Sequence, residues 1–265
     1  KVLNVLKQGK YIIHLVSNGL KKGLSVSCLV DKNRRVQLAQ HHSTAHILNA
    51  ACRNVLGEHI WQAGAAKTLE KGRLDITHYE IPSSSDVKKI EVLANKIVKS
   101  KVEIKKSFMS RSVAEKKYGF SLYQGGVAPG QKLRIVDING LDVEACGGTH
   151  LNNTSEAGLI KIIKVSKVQD GIIRLEFVSG IASASKSGEF SSLINELEVL
   201  LGVKKEFIPG KVLELFSLWK KVRKFSKKGK KIDFSLVLKA SEKDKLSDEQ
   251  ILVKTALILN TQKEH

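Results

Sequence analysis

RIVDINGLDVEACGGTH, residues 134–150, holds the decision about the fold. Apolar and polar residues alternate on both sides of Asn139-Gly140, and an Asn-Gly pair between two such runs is the strongest short hairpin signal, because both residues tolerate a positive φ. An antiparallel strand pair is therefore expected. A second hairpin is expected over IKIIKVSKV-QDG-IIRLEFV, residues 160–178. Further out, RLDITHYE (73–80) and VEIKKSFMS (102–110) alternate as strands, and Ser83 to Ser85 followed by Asp86 open a long amphipathic helix to about Lys99. SVAEKKYG (112–119) reads as a short helix and LYQGGVAPG (122–130) as a loop turned by Gly125, Gly126 and Gly130. Helices and strands mix without a βαβ rhythm, so the centre of the chain is expected to be α+β, an antiparallel sheet with packed helices.

The flanks differ in texture. VLKQGKYIIHLV and NGLKKGLSVSCLV, within residues 2–30, are short β-branched runs broken by Asn18-Gly19 and Gly23, which suggests strands of a small barrel or sheet, with His14 half-buried on one of them. After Gly180, SSLINELEVLLGV and VLELFSLWKKVRKFSKKGKK read as increasingly basic helices, IDFSLVLKA as a strand and DEQILVKTALILN as a final helix. A chain of 265 residues with 42% apolar content can bury a sizeable core. Its net charge of +19 predicts a surface that attracts polyanions, nucleic acid first, although lysine abundance also follows from source composition or a hot habitat. Three widely spaced cysteines argue against a disulfide framework and for a reducing, cytoplasmic setting. No apolar run approaches the roughly 20 residues that span a bilayer, so no membrane partner is expected.

Beyond the Asn-Gly turn, CGGTH places Cys146 and His150 four apart, with Gly147 and Gly148 free to turn tightly between them. A hundred residues earlier, HHSTAH (41–46) opens an apolar helix expected over Leu38–Leu56 and stopped by Gly57. On that helix His42 and His46 share a face, whereas His41 is about 100° out of phase and reads as a flanking polar residue. Three imidazoles and one thiolate suit zinc. A metalloprotease helix carries glutamate beside its first histidine, and here Ser43 stands there, so that reading fails. Four protein ligands are usual for a structural zinc, while catalytic sites keep a position open; the residues alone leave both readings standing. His78 reads as a structural residue, and His59 and His265 as solvent-facing ones.

At RRVQLAQHHSTAHILNAACRNVLGEHIWQAG, RLDITHYE, KKYGFSLYQGGVAPG, DVEACGGTHLNNTSEAG and QDGIIRLEFVSG the chain resembles the editing domain of alanyl-tRNA synthetases and its freestanding relatives, a domain type shared with bacterial threonyl-tRNA synthetases. The resemblance runs from about Arg34 to Gly180. It implies three regions: partial β-barrel strands over 1–33, a zinc-binding editing domain over 34–182, and a mainly helical, basic C-terminal region over 183–265 that resembles the start of the dimerising part of those synthetases. It implies hydrolysis of mischarged tRNA(Ala), chiefly Ser-tRNA(Ala) with Gly-tRNA(Ala) second. His42, His46, Cys146 and His150 match the family's Zn2+ ligands, and Gln62 matches a pocket glutamine. Thr44 and Asp75 fall in matching segments. One departure is Ala45, which stands directly before His46 where the family usually has threonine.

Nothing resembles the class II aminoacylation core, so the chain is expected to work as a fragment or subunit of the synthetase, beside its aminoacylation part and with a homodimer formed through the C-terminal region. Ester hydrolysis needs a placed water and donors for the developing oxyanion. Gln62, Thr44 and Cys146 are the catalytic candidates; Asp75, Gly147, Gly148 and Thr149 are the pocket candidates. Lys220, Lys221, Arg223, Lys224, Lys227 and Lys228 are candidates for tRNA backbone contact, a solvated face being the plainer alternative. The rival reading of the whole is a non-catalytic tRNA-binding and dimerisation module braced by a structural zinc.

Overall fold

The computed structural model describes residues 1–9, 11–226 and 243–260. The chain divides into two compact units, Lys1–Arg35 and Val36 onward. In the first, β1 (Val2–Gln8) and β2 (Tyr11–Val16) form an antiparallel hairpin. The run from Asn18 to Val30 carries no strand, so the described part of the expected barrel is one two-stranded ribbon. Two lysines and two glycines interrupt that run, and among the described residues no strand pairs with it. His14 lies on β2, as expected, but is exposed rather than half-buried.

The second unit is built around α1 (Lys32–Leu56). Its middle is enclosed on all sides: Ala45, Ile47, Leu48, Ala51 and Cys52 are fully buried, and so are the polar His41, Ser43, Thr44 and Asn49. The helix ends as expected at Gly57, whose φ of 118° favours glycine and whose N–H bonds Arg53 O at 3.0 Å. Against α1 lies a four-stranded antiparallel sheet ordered β3-β4-β9-β8, made of β3 (Gln62–Lys67), β4 (Gly72–Thr77), β8 (Ile160–Gln169) and β9 (Ile172–Ser179). Strand alternation turns Leu74, Ile76, Ile173, Leu175 and Phe177 into the core that α1 shares with Ile90, Ala94 and Ile97 of α2 (Ser84–Lys99). Ser83 caps α2, accepting from Asp86 N at 3.1 Å.

A second sheet, ordered β5-β6-β7, holds β5 (Lys105–Ser110), β6 (Lys132–Asp137) and β7 (Val143–Ala145). Strand β6 is buried on both faces. Leu133 and Ile135 join Ala114 of α3 (Arg111–Tyr118), Leu122 and Tyr123, while Val136 belongs to the main core. The β6–β7 hairpin forms where Asn139-Gly140 predicts it. Both residues have positive φ, 47° and 75°, and Leu141 N–H donates to Ile138 O at 2.9 Å. The ladder continues in register past its last strand pair, Asp137 with Val143, to Ile138 N–H, which donates to Asp142 O at 2.9 Å. Asp142 and Glu144, two apart on the returning arm, share the inward face, and both are buried. The β8–β9 hairpin turns at Asp170-Gly171, between the paired Gln169 and Ile172.

The chain leaves β9 through Gly180, where a Cβ would overlap the Gln40 amide, and enters α4 (Ile181–Leu201). Helices α5 (Ile208–Ser226) and α6 (Asp248–Leu259) pack with α4 around Phe190, Ile194, Ile208, Val212, Ile251 and Leu252. The expected strand IDFSLVLKA and His265 lie outside the described residues. The fold is thus mixed α and β with antiparallel sheets, and among the described residues no helix is long and apolar enough to cross a membrane.

Candidate metal centre

Two distant segments meet at one point beside α1. His42 and His46 stand one helical turn apart, with ring centroids separated by 5.6 Å. Cys146 follows β7 directly, and the Gly147-Gly148 turn brings His150 back beside it. Cys146 Sγ lies 3.4 Å from His42 Nε2 and 3.3 Å from His150 Nε2. One ligand atom from each of His42, His46, Cys146 and His150 fits within a 4.8 Å span. Bonds of about 2.0–2.3 Å to tetrahedral zinc would set those atoms roughly 3.3–3.8 Å apart, close to what the cluster offers. The turn has no room for a side chain, because a Cβ on Gly148 would overlap the His42 ring. Arg134 holds its backbone, Nη1 donating to Cys146 O at 2.7 Å and to Gly148 O at 2.9 Å.

The imidazoles are aimed from behind. His46 Nδ1–H donates to Asp142 Oδ2 at 2.8 Å, and His150 Nδ1 meets Ser43 Oγ at 3.2 Å. Ser43 Oγ also accepts from Leu151 N at 3.1 Å. Both arrangements leave Nε2 facing the cluster, as metal-bound histidines require. Asn49 Nδ2 lies 3.3 Å from Asp142 Oδ1 and 3.3 Å from Glu144 Oε1. Glu144 Oε2 is 3.4 Å from His46 Nε2, so His46, Asp142 and Glu144 make a second close, buried set.

The electrostatics fit a cation. Burial pushes the Cys146 thiol up, but hydrogen bonds from His150, His42 and His46 outweigh it and hold the thiol at about 2, hence as thiolate. Burial lowers His46, yet the Glu144 charge and the Asp142 hydrogen bond prevail and raise it to about 10. Burial lowers His150 to about 4 and lowers His42 as well, while it raises Glu144 to about 8. A positive charge is therefore favoured between thiolate and carboxylates; a proton on His46 supplies it, and zinc would supply more.

The other candidate residues are spread around this centre. Gln62 opens β3 opposite Ile76, on the side facing α1, and its amide lies against Gly125 of the glycine-rich loop. Its N–H donates to Gln124 Oε1 at 2.7 Å. Gly147 and Thr149 are exposed on the turn. Thr44 is not brought to the cluster: two residues from each histidine, it sits about 200° round the helix, fully buried, with a hydroxyl that has no hydrogen-bond partner among the described residues. Asp75 faces away from Leu74 and Ile76, on the opposite side of the sheet from the core. There Arg174 holds it with two bonds of 2.8 and 3.0 Å.

On α5, Lys220 Nζ lies 4.2 Å above the Phe216 ring and the Arg223 guanidinium 5.3 Å from the Trp219 ring centroid, with Lys221 and Lys224 exposed beside them. Lys227 and Lys228 lie outside the described residues. His59 is exposed as expected and bonds the buried His78 at 2.8 Å. His41 differs from its expected flanking role. It is fully buried, Nδ1–H donating to Thr68 O at 2.8 Å and Nε2 3.1 Å from Gln37 Nε2. The sequence reading passed over Ser43, Lys67, Asp142 and Glu144. Asp142, Glu144 and Cys146 are two apart, and that spacing, which puts all three on one face of a strand, was the available signal.

Residues 133–176 match the family described as threonyl and alanyl tRNA synthetase second additional domain. That segment of the chain is similar to this domain. The chain is related over most of its length to alanine–tRNA ligases. It is 45% identical to that of Methanococcus maripaludis strain S2 over 226 residues, 84% of this chain and 25% of the relative. It is 42% identical to that of Methanosarcina barkeri over 86% of the chain and 25% of the relative. It is 38% identical to that of Sulfurisphaera tokodaii over 96% of the chain and 28% of the relative. The chain spans about a quarter of the length of these curated relatives.

Proposed function

We propose that the chain hydrolyses the ester of mischarged tRNA(Ala), chiefly Ser-tRNA(Ala) with Gly-tRNA(Ala) second, as the editing part of an alanine–tRNA ligase acting in the cytoplasm. The observation that carries this reading is the convergence of His42, His46, Cys146 and His150 within 4.8 Å, from segments a hundred residues apart, in a relative of that enzyme. The reading divides the chain into ribbon (1–33), metal-binding domain (34–182) and helical region (183–265). The helical region would serve dimerisation and present Lys220, Lys221, Arg223 and Lys224 to the tRNA backbone.

Bound zinc would supply a Lewis acid beside the ester and an anchor for the substrate's amino or hydroxyl group. His42, His46, Cys146 and His150 would hold it, with Asp142 and Ser43 fixing two of the rings. The protein's own work is positioning. The backbone of the exposed Gly147 and half-buried Gly148 would offer N–H groups to a developing oxyanion, and the Gln62 amide, backed by Gly125, would orient water or the serine hydroxyl. A pocket that hydrogen-bonds a hydroxyl refuses the analogue lacking it by roughly 10⁴–10⁵, so serine is told from alanine polarly, while glycine must be told from alanine by size.

Deacylation of Ser-tRNA(Ala) and Ala-tRNA(Ala) by the zinc-loaded chain is the test. Rapid release of serine alone, lost in Cys146→Ala together with zinc, is expected. Binding without turnover would instead make the chain a tRNA-binding module with a structural zinc.

A further inference from the structure

Lys67 ends β3, the edge strand of the four-stranded sheet. An edge lysine normally points to water and protects the edge. This one does not. Register pairs Lys67 with Gly72 and Ala65 with Leu74, so both side chains turn toward the face that α1 covers, and Lys67 is half-buried. The neighbouring Thr68 O takes the His41 Nδ1 proton at 2.8 Å, which fastens this end of the strand to α1 one residue before His42. The Lys67 charge is felt by His42, and Lys67 in turn feels Cys146 and Glu144. Yet among the described residues no carboxylate lies within ion-pair distance of its Nζ. A partly desolvated ammonium group on the face that α1 covers, with no carboxylate paired to it among the described residues, is a place for an anion.

We propose that Lys67 is an anion subsite of the metal centre and takes the phosphodiester on the 5′ side of the terminal adenosine of an aminoacylated RNA. This rests on the hydrolase reading. Of the groups near the reacting ester, the ester itself is neutral and the amino acid's ammonium is repelled by lysine; the phosphodiester is the anion that remains. The contact would fix the register of the terminal nucleotide against Cys146 and His42.

The test uses the zinc-loaded chain and two non-hydrolysable mimics, 3′-seramido-3′-deoxyadenosine with and without a 5′-methylphosphate, titrated calorimetrically. The wild type should bind the phosphorylated mimic about 10- to 100-fold more tightly. K67M, matched in length, should lose that preference at unchanged zinc content and circular dichroism, and K67R should retain most of it. Equal affinity of the wild type for both mimics would overturn the proposal, as would a K67M protein that keeps the preference. A K67M protein that sheds zinc would also overturn it, by making the lysine a charge balance for the ligands. A wild type that prefers the phosphorylated mimic but releases no serine from Ser-tRNA(Ala) would leave the subsite standing and remove the hydrolase reading.

Discussion

Asp142 bonds His46 Nδ1 at 2.8 Å, so the proposed metal centre would depend on a residue outside its four candidate ligands. Asp142→Asn should weaken zinc about 10- to 100-fold, measured by competition with a chromophoric chelator, with the fold retained. Protons compete for the same centre. Cys146 and His150, held at about 2 and about 4, are already deprotonated at neutral pH, whereas His46, raised to about 10, is not. Zinc uptake at pH 7 should therefore release at least one proton, and affinity should fall by about tenfold or more per unit as pH drops below the His46 value. Calorimetry in buffers of different ionisation enthalpy reads both. The four candidate ligands were legible because their spacings, four on a helix and four across a glycine turn, are local. Asp142 was less so, because alternation puts it on one strand face with Glu144 and Cys146 without saying that α1 covers that face.

Helix α1 shows how an element can be legible in kind and not in surroundings. Its apolar spacing and its stop at Gly57 mark it as a helix, yet polar His41, Ser43, Thr44 and Asn49 are as deeply buried as Leu48. Helical phase alone reads His41 as a flanking polar residue; the fold closes around the helix and gives that histidine Thr68 and Gln37 as partners. Leu48→Ala should cost about 2–5 kcal/mol in urea unfolding, the range for emptying a packed leucine site. Thr44→Val, by contrast, removes a buried hydroxyl without a partner. It should leave stability unchanged or raised and leave zinc binding intact, because Thr44 sits on the far side of the helix from the ligands. Loss of zinc in that variant would move Thr44 back to the site.

Across the whole molecule the net charge of +19 is the feature most open to measurement. Replacing Lys220, Lys221, Arg223 and Lys224 with alanine should weaken tRNA binding and flatten its log–log salt dependence by up to roughly 3, if each charge releases one counterion. An unchanged slope would make α5 a solvated face. The cation–π contacts of Lys220 and Arg223 with Phe216 and Trp219 hold two of these charges over rings and leave Lys221 and Lys224 in water. At this scale the N-terminal expectation holds for the ribbon of β1 and β2 but not for residues 18–30. Alternation and β-branching marked strands over 18–30, but a strand needs a neighbour to bond, and none of the described residues pairs with that run.

The sequence by itself determined what depends on neighbours along the chain: two hairpins from Asn139-Gly140 and Asp170-Gly171, α1 and α2 from their caps and spacing, and the chemistry of two ligand pairs. Only the tertiary structure decided what depends on neighbours in space. It brought the pairs together, seated Asp142 behind His46, sent Asp75 to Arg174 on the far face of the sheet, and turned Lys67 inward. Backbone preferences and periodicity act over a few residues and are written locally. Burial and charge pairing arise from the whole fold, so they appear only once distant segments occupy the same volume.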